Sequence, residues 1–226
     1  MISDVEAPAT RRLWSLRSPL LLAGAAAAVW FLGVESWLAL DRSAVVDGQL
    51  WRLVTGHWTH ASAEHLLWDS LAFVVLAAFV RREGAAAYWG ALLAGSFGIA
   101  VGFLLWAPEL AEYRGLSGLC SVFFGVLVVR FFARAKAAND RFGLVAVGIA
   151  GVAFVVKVVF EFVSGSAVFV SGAGGMVPVP LAHALGAGIG LGVAALQTAV
   201  ERQIATCGAG LPGWKQLQLV SRATRL

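Results

Sequence analysis

Charged residues are scarce in this sequence: Asp, Glu, Lys and Arg make up 13% of the 226 residues, whereas 59% are apolar. Soluble domains carry about a quarter charged residues, so the composition excludes an ordinary water-soluble fold. Cysteine is scarce as well. Cys120 and Cys207 lie in different parts of the chain and neither has a metal-type spacing, which excludes a disulfide scaffold and a cysteine metal site.

Long apolar runs are what the sequence has in abundance. A helix needs about 20 apolar residues to cross about 30 Å of hydrocarbon. Because backbone groups in lipid must satisfy their hydrogen bonds internally, we predict an all-α membrane protein with six transmembrane helices. The six predicted spans are 19–40, 65–80, 86–106, 117–133, 142–163 and 179–200.

Basic residues are distributed unevenly between the two sides of these spans. If the N-terminus is cytoplasmic, most Lys and Arg residues lie on the cytoplasmic side, and only Arg42, Arg52 and Arg114 lie outside. We therefore predict that both termini are cytoplasmic. The same asymmetry accounts for the net charge of +4, so we expect the lipid bilayer, and no nucleic acid, as a partner. The predicted parts are an N-terminal segment (1–18), a membrane domain (19–201) and a C-terminal tail (202–226).

Polar side chains inside the apolar spans are the first candidates for function, because they are costly at membrane depth. His65 and Asp69 lie in the second span, Ser117 in the fourth and His183 in the sixth. Counted from the basic residues expected at the cytoplasmic ends of these helices, His65, Ser117 and His183 lie about 26 to 29 Å away. The sequence therefore predicts that these three side chains share one depth near the outer surface.

Ser117 and His183 form a candidate dyad, since serine becomes a nucleophile when a base such as histidine lies beside it. A transmembrane serine taken alone more often bonds its own backbone or a neighbouring helix, and the matched depth favours the dyad. Gly115 and Gly118 flank Ser117, and we expect them to let a substrate backbone approach. The N–H groups of Leu116 and Ser117 at the helix start are suited to an oxyanion hole.

His65 and Asp69 are four residues apart and share a helical face. With His57 and His60 nearby they could be read as a metal site, but stabilisation of developing negative charge is the more economical interpretation. We expect no metal and no cofactor. An ionised Asp69 would oppose an oxyanion, so the carboxyl group is either protonated or holds His65 as a donor, and we favour the second role.

Two further pairs are defined by helical spacing. Gly186 and Gly190 follow His183 on the same face, which predicts close packing of span six on span four. Lys157 and Glu161 are four residues apart in span five, and we predict an ion pair because isolated charges in a membrane are expensive. For this pair a structural role is favoured over a catalytic one.

Four segments together resemble the rhomboid family of intramembrane serine proteases. They are "WR" (Trp51, Arg52), "HLLWD" (65–69), "GLSG" (115–118) and "AHALGAGIG" (182–190). The resemblance covers roughly residues 45–190. It implies a six-helix rhomboid-like bundle in which Ser117 attacks a peptide bond, His183 is the base and no third acid is needed. It also implies that Trp51 and Arg52 are structural residues of the first outer loop.

Asp69, in place of the family's usual asparagine, and the compact length resemble the rhombosortase branch. That branch is associated with bacterial exported proteins whose C-terminal tail has a Gly-Gly motif, a transmembrane helix and a basic end. The resemblance implies a multi-pass protein of the bacterial inner membrane that cleaves such membrane-anchored substrates, by hydrolysis or by transfer to another amine. A general rhomboid protease for other single-span substrates and a non-enzymatic rhomboid-like protein are the alternatives.

Ser121 marks a departure from the family. Rhomboids often carry an aromatic residue four positions after the serine, where it stacks on the catalytic histidine. Here that position is a serine, which leaves open how His183 is held.

Overall fold

The structure, a computed structural model, describes residues 8–166 and 179–208. Within these ranges the chain forms nine α-helices, a 3₁₀ turn and one pair of short strands. The helices are α1 (Pro8–Leu32), α2 (Glu35–Leu38), α3 (Arg42–Val46), α4 (Arg52–Thr55), α5 (Ala63–Glu83), α6 (Ala85–Trp106), α7 (Ser117–Ala137), α8 (Arg141–Ser164) and α9 (Pro180–Gly208). The 3₁₀ turn is Gly56–Trp58, and strands β1 (Leu40–Asp41) and β2 (Glu112–Tyr113) pair antiparallel.

Six helices of the described chain, α1 and α5 to α9, are long and apolar enough to cross a membrane. This confirms the predicted helical membrane fold. The bounds of the first span were wrong: residues 19–40 are not one helix. Gly33, with φ of +66°, ends α1, and residues 35–41 form α2 and β1 instead. The residues after the break are still apolar, so a prediction from hydropathy alone extended the span beyond the end of the helix.

Helix α7 lies at the centre of the bundle and packs against α5, α6, α8 and α9. The ring of Phe123 stacks on Tyr88 of α6 and tilts against Phe73 of α5, with ring centroids 5.6 Å apart in both pairs. On another side of α7, Phe124 stacks on Phe154 of α8 at 4.7 Å. Aromatic rings from three neighbouring helices therefore fix the position of α7.

The contact between α7 and α9 is made by backbone. A Cβ atom added at Gly190 would collide with the Val122 carbonyl group, and one added at Gly186 would collide with the Gly118 carbonyl group. Glycine is therefore the residue that lets the two helices approach this closely. The approach brings the first turn of α9 next to the first turn of α7.

The segment between α1 and α5 is tied to the bundle by an arginine. The guanidinium of Arg42 donates to the carbonyl groups of Phe103, Leu104 and Ala107 at 3.1, 2.7 and 2.8 Å. These carbonyls lie at the end of α6, where helical partners run out and a cation is favourable. β1 and β2 add a second connection, in which Leu40 pairs with Tyr113 just before α7.

Candidate active site

The predicted site residues lie on three helices that begin at the same end of the bundle. Ser117 is the first residue of α7, His65 and Asp69 lie in the first two turns of α5, and His183 lies in the first turn of α9. Ser117 N–H donates to Asp69 Oδ2 at 3.0 Å, which joins α7 to α5. On the other side, Ala182 lies 3.6 Å from the position of a Cβ on Gly118, which places the residues next to Ser117 and His183 in contact.

Asp69 is the centre of a cluster of nitrogen atoms. Its Oδ2 accepts from Ser117 N–H and lies 3.1 Å from His65 Nε2 and 3.5 Å from His60 Nε2. Both His residues and Asp69 are buried. The Ser117 N–H, predicted to be an oxyanion donor, is therefore taken by the Asp69 carboxylate in this structure.

His65 lies between Asp69 and the loop before α5. Its Nε2 faces Asp69 Oδ2 at 3.1 Å, and its Nδ1 lies 3.5 Å from the backbone nitrogen of Ala61. The contact with Asp69 joins the two side chains as their spacing predicted. The role of Asp69 in directing an N–H of His65 at the developing charge stays a prediction.

Two glycines beside Ser117 make room for protein side chains. Gly115 has φ of +114°, and a Cβ there would lie 2.8 Å from His65 Nε2 and 3.0 Å from Asp69 Oδ2. A Cβ on Gly118 would lie 2.8 Å from the Tyr113 hydroxyl. Between them, the Leu116 side chain is buried in the core. In this structure both glycines accordingly permit the packing that surrounds the serine.

Tyr113 and His57 support the turn before Ser117, a role that the sequence indicated for neither residue. The Tyr113 hydroxyl donates to the Gly115 carbonyl at 2.9 Å, and the ring of His57 packs edge-on against Tyr113 at 5.3 Å. His57 Nε2 lies 3.0 Å from the Ser96 carbonyl on α6. Burial lowers the pKa of His57 to about 4 and raises the pKa of Tyr113, so both are neutral near pH 7.

Trp51 and Arg52 organise the loop rather than the serine. Arg52 is buried and donates to the carbonyl groups of Ser36 and Ala39 at 2.9 and 2.6 Å. The Trp51 indole N–H points at the Trp37 carbonyl at 3.4 Å. These contacts join α4 to α2, and the 3₁₀ turn that carries His57 follows α4 directly.

His183 is held by two charged residues of α8. Its Nδ1 lies 2.8 Å from Glu161 Oε2 and 3.1 Å from Lys157 Nζ. Lys157 Nζ also lies 2.8 Å from both carboxylate oxygens of Glu161, so the predicted ion pair is confirmed. The helical spacing indicated this pair, but it could not indicate that α9 packs there and adds His183.

Ser121 leaves no space for the aromatic residue usual in the family. Its hydroxyl donates to the Ser117 carbonyl at 3.0 Å, and its Cβ lies 3.0 Å from the position of a Cβ on Gly186. A ring at position 121 would push α9 away from α7. Close packing of these two helices therefore replaces aromatic stacking.

Comparison with known families gives one result that covers most of this region. Residues 47–199, more than half of the chain, match the Rhomboid domain. The match begins in the loop before α4 and ends in α9, so it includes Ser117, His183 and the α5 cluster. Among curated protein sequences, none matches the chain significantly.

Proposed function

Since the chain belongs to the rhomboid family of intramembrane serine proteases, we propose that it cleaves membrane-anchored proteins with Ser117 as nucleophile and His183 as general base. The observation that carries the proposal is the position of Ser117. It begins a buried helix against which α9 packs closely enough to bring the turn of His183 alongside. A serine beside a histidine at a helix start is suited to acyl transfer.

The proposed reaction follows from these groups. Ser117 Oγ attacks the carbonyl carbon of the scissile peptide bond while its proton passes to Nε2 of His183. When the tetrahedral intermediate collapses, the C–N bond breaks and the leaving amine takes that proton. Water then hydrolyses the acyl-enzyme, or another amine accepts the acyl group. The oxyanion would use the Ser117 N–H, so the Asp69 carboxylate must share or release this donor.

We assign the chain to the rhombosortase branch. Asp69 in place of asparagine supports this assignment, as does the compact membrane domain. The expected substrates are exported proteins with a C-terminal Gly-Gly motif, a transmembrane helix and a basic end. The asymmetry of Lys and Arg supports cytoplasmic termini, which would place the site near the outer face of a bacterial inner membrane.

Co-expression with a single-span protein that carries such a tail tests the proposal. Mass spectrometry of the substrate should show a new C-terminus next to the Gly-Gly motif with the parent enzyme, and an intact tail with Ser117→Ala. A matched substrate with the Gly-Gly motif replaced should remain intact. Equal cleavage of both substrates would contradict the branch and leave a general rhomboid protease, whereas cleavage by Ser117→Ala would contradict the proposed nucleophile.

A further inference from the structure

We infer that Glu161 is a positioning residue for His183, so that the site is a Ser117–His183–Glu161 triad rather than a dyad. The inference rests on the proposed function. It assigns a role in the reaction to a residue whose spacing to Lys157 had suggested a structural ion pair. It also answers how His183 is held where the sequence has no aromatic residue at position 121.

Geometry is the first support. Glu161 is 2% exposed and His183 is 7% exposed, so the 2.8 Å contact between Oε2 and Nδ1 lies away from solvent. Glu161 is one of the two buried residues of α8, next to Val158 on the side that faces the bundle. Burial of a carboxylate at that point costs folding free energy unless the carboxylate is paired and hydrogen-bonded.

The second support is the choice of tautomer. When Nδ1 donates to Glu161, Nε2 has the lone pair and can accept a proton from Ser117. If Lys157 donated to Nδ1 instead, Nε2 would carry the proton and His183 could not act as a base. Glu161 Oε2 is the nearer of the two groups to Nδ1, at 2.8 Å against 3.1 Å for Lys157 Nζ, and this favours an Nδ1–H that donates to the carboxylate.

The third support concerns α7, where Ser121 stands in place of an aromatic residue that could stack on the His183 ring. Ser121 donates to the Ser117 carbonyl, and its Cβ lies against Gly186. In the described part of the chain, the hydrogen bonds of the His183 ring go to α8. Glu161 therefore orients the ring, and its charge stabilises the imidazolium that forms when the serine loses its proton.

The experiment uses the full-length protein in detergent, a single-span tailed substrate, and a fluorophosphonate probe. In the probe reaction an O–P bond forms at Ser117 Oγ, fluoride leaves, and the serine proton passes to His183. Glu161→Gln keeps the size of the side chain but lets an amide N–H donate to Nδ1, which favours the wrong tautomer. We expect it to lower both kcat and the labelling rate about 10²- to 10⁴-fold, with KM within about twofold.

Two further variants separate positioning from structure. Lys157→Met removes the cation and keeps the carboxylate, and we expect a loss of less than about tenfold. Glu161→Asp keeps the negative charge but, because the side chain is shorter, increases its distance from the His183 ring. We expect partial rescue, with kcat between those of the parent and Glu161→Gln. A parent-like kcat for Glu161→Gln, or a raised KM with unchanged kcat, would overturn the inference.

A measurement on His183 in the parent protein tests the inference even if the Glu161 variants do not fold. With ¹⁵N-labelled histidine, the His183 signals, assigned by their loss in His183→Ala, should show the Nδ1–H tautomer in the parent protein. The Nε2–H tautomer would overturn the inference. The proposed function fails separately: in that case Ser117→Ala would cleave or become labelled like the parent, whatever the Glu161 variants do.

Discussion

Helices α7 and α8 are neighbours of similar length, yet they are built for different surroundings. Within the apolar segment of α7 that is long enough to cross a membrane, 56% of the residues are buried inside the protein. In the corresponding segment of α8 only 6% are buried. α8 is nevertheless the more apolar of the two. Lipid requires only that a helix be apolar, whereas packing inside a bundle requires small residues and fitted shapes. Apolarity therefore does not identify the central helix of a membrane bundle.

The same contrast shows how a peripheral helix can serve the site. Ser117 lies on the central helix, while Lys157 and Glu161 lie on the peripheral one and reach His183 from the side. α8 packs against α7 and α9. Phe154, one turn before Lys157 in α8, stacks on Phe124 of α7. A single turn of an otherwise lipid-facing helix thus completes the surroundings of the histidine.

The largest expected effect comes from the residues at the start of α7 and α9. Ser117→Ala and His183→Ala should each lower the cleavage rate at least about 10³-fold, because one removes the proposed nucleophile and the other its proposed base. Cleavage of a tailed substrate, followed by gel shift and mass spectrometry, measures this loss. Thermal melting in detergent serves as the control, since both variants should remain folded. Full activity in either variant would disprove the role proposed for that residue.

Two glycine substitutions compare the packing at the contact between α7 and α9 with the packing around α8. Gly190→Ala places a Cβ against the Val122 backbone, so we expect it to lower the free energy of unfolding by about 1–3 kcal/mol or more. Gly148→Ala on α8 adds a Cβ that meets no described atom within 4 Å, so we expect no loss. Chemical denaturation in detergent measures both. An equal loss for Gly148→Ala would show that α8 has a packing partner.

Asp69 provides a smaller and more specific effect. Asp69→Asn keeps an oxygen that accepts from Ser117 N–H, removes a negative charge that opposes the oxyanion, and adds an amide donor. We expect kcat to equal that of the parent or to rise by up to about tenfold. Asp69→Ala should lower kcat about tenfold, because His65 loses its acceptor. Steady-state kinetics distinguish these outcomes, and a large loss in Asp69→Asn would show that the carboxylate charge itself is needed.

His57 gives the smallest effect, on stability rather than rate. Its pKa is about 4 in the folded protein because the ring is buried, and about 6.5 in the unfolded chain. As the pH falls below 6.5, the unfolded state takes up the proton first, so folded stability decreases. Between pH 7 and 5.5 we expect a loss of about 1 kcal/mol from this group. The pH dependence of unfolding should be shallower in His57→Phe, and an unchanged dependence would contradict this assignment.

Much of the fold follows from the sequence because hydrocarbon imposes length and apolarity on every span. The order of the "HLLWD", "GLSG" and "AHALGAGIG" segments likewise suffices to place His65, Ser117 and His183 at the same end of the bundle. The break at Gly33 could not be read from hydropathy, because residues on both sides of it are apolar.

The detailed contacts of the site were harder to predict, since they depend on how helices rotate against one another. Spacing within α8 indicated that Lys157 and Glu161 pair, but the meeting of Glu161 with His183 depends on the packing of α8 and α9. The orientation of His65 depends on Asp69 in its own helix and on the backbone of Ala61 in the loop before it. Tyr113 and His57 are brought together by the loops before α5 and α7, where Gly115 N–H donates to the Gly56 carbonyl at 3.3 Å.

The bonds of Arg42 also set an order of events during synthesis. The guanidinium of Arg42 must wait for Phe103 and Ala107 to be made before it finds its carbonyl acceptors, so the first outer loop cannot take its final shape until α6 is in place. Under the proposed function, the histidine base arrives later still, because α9 follows α7 and α8 in the chain. On that proposal, a growing chain that has Ser117 but not yet α9 has the nucleophile without its base, and cleavage can begin only once α9 has been inserted.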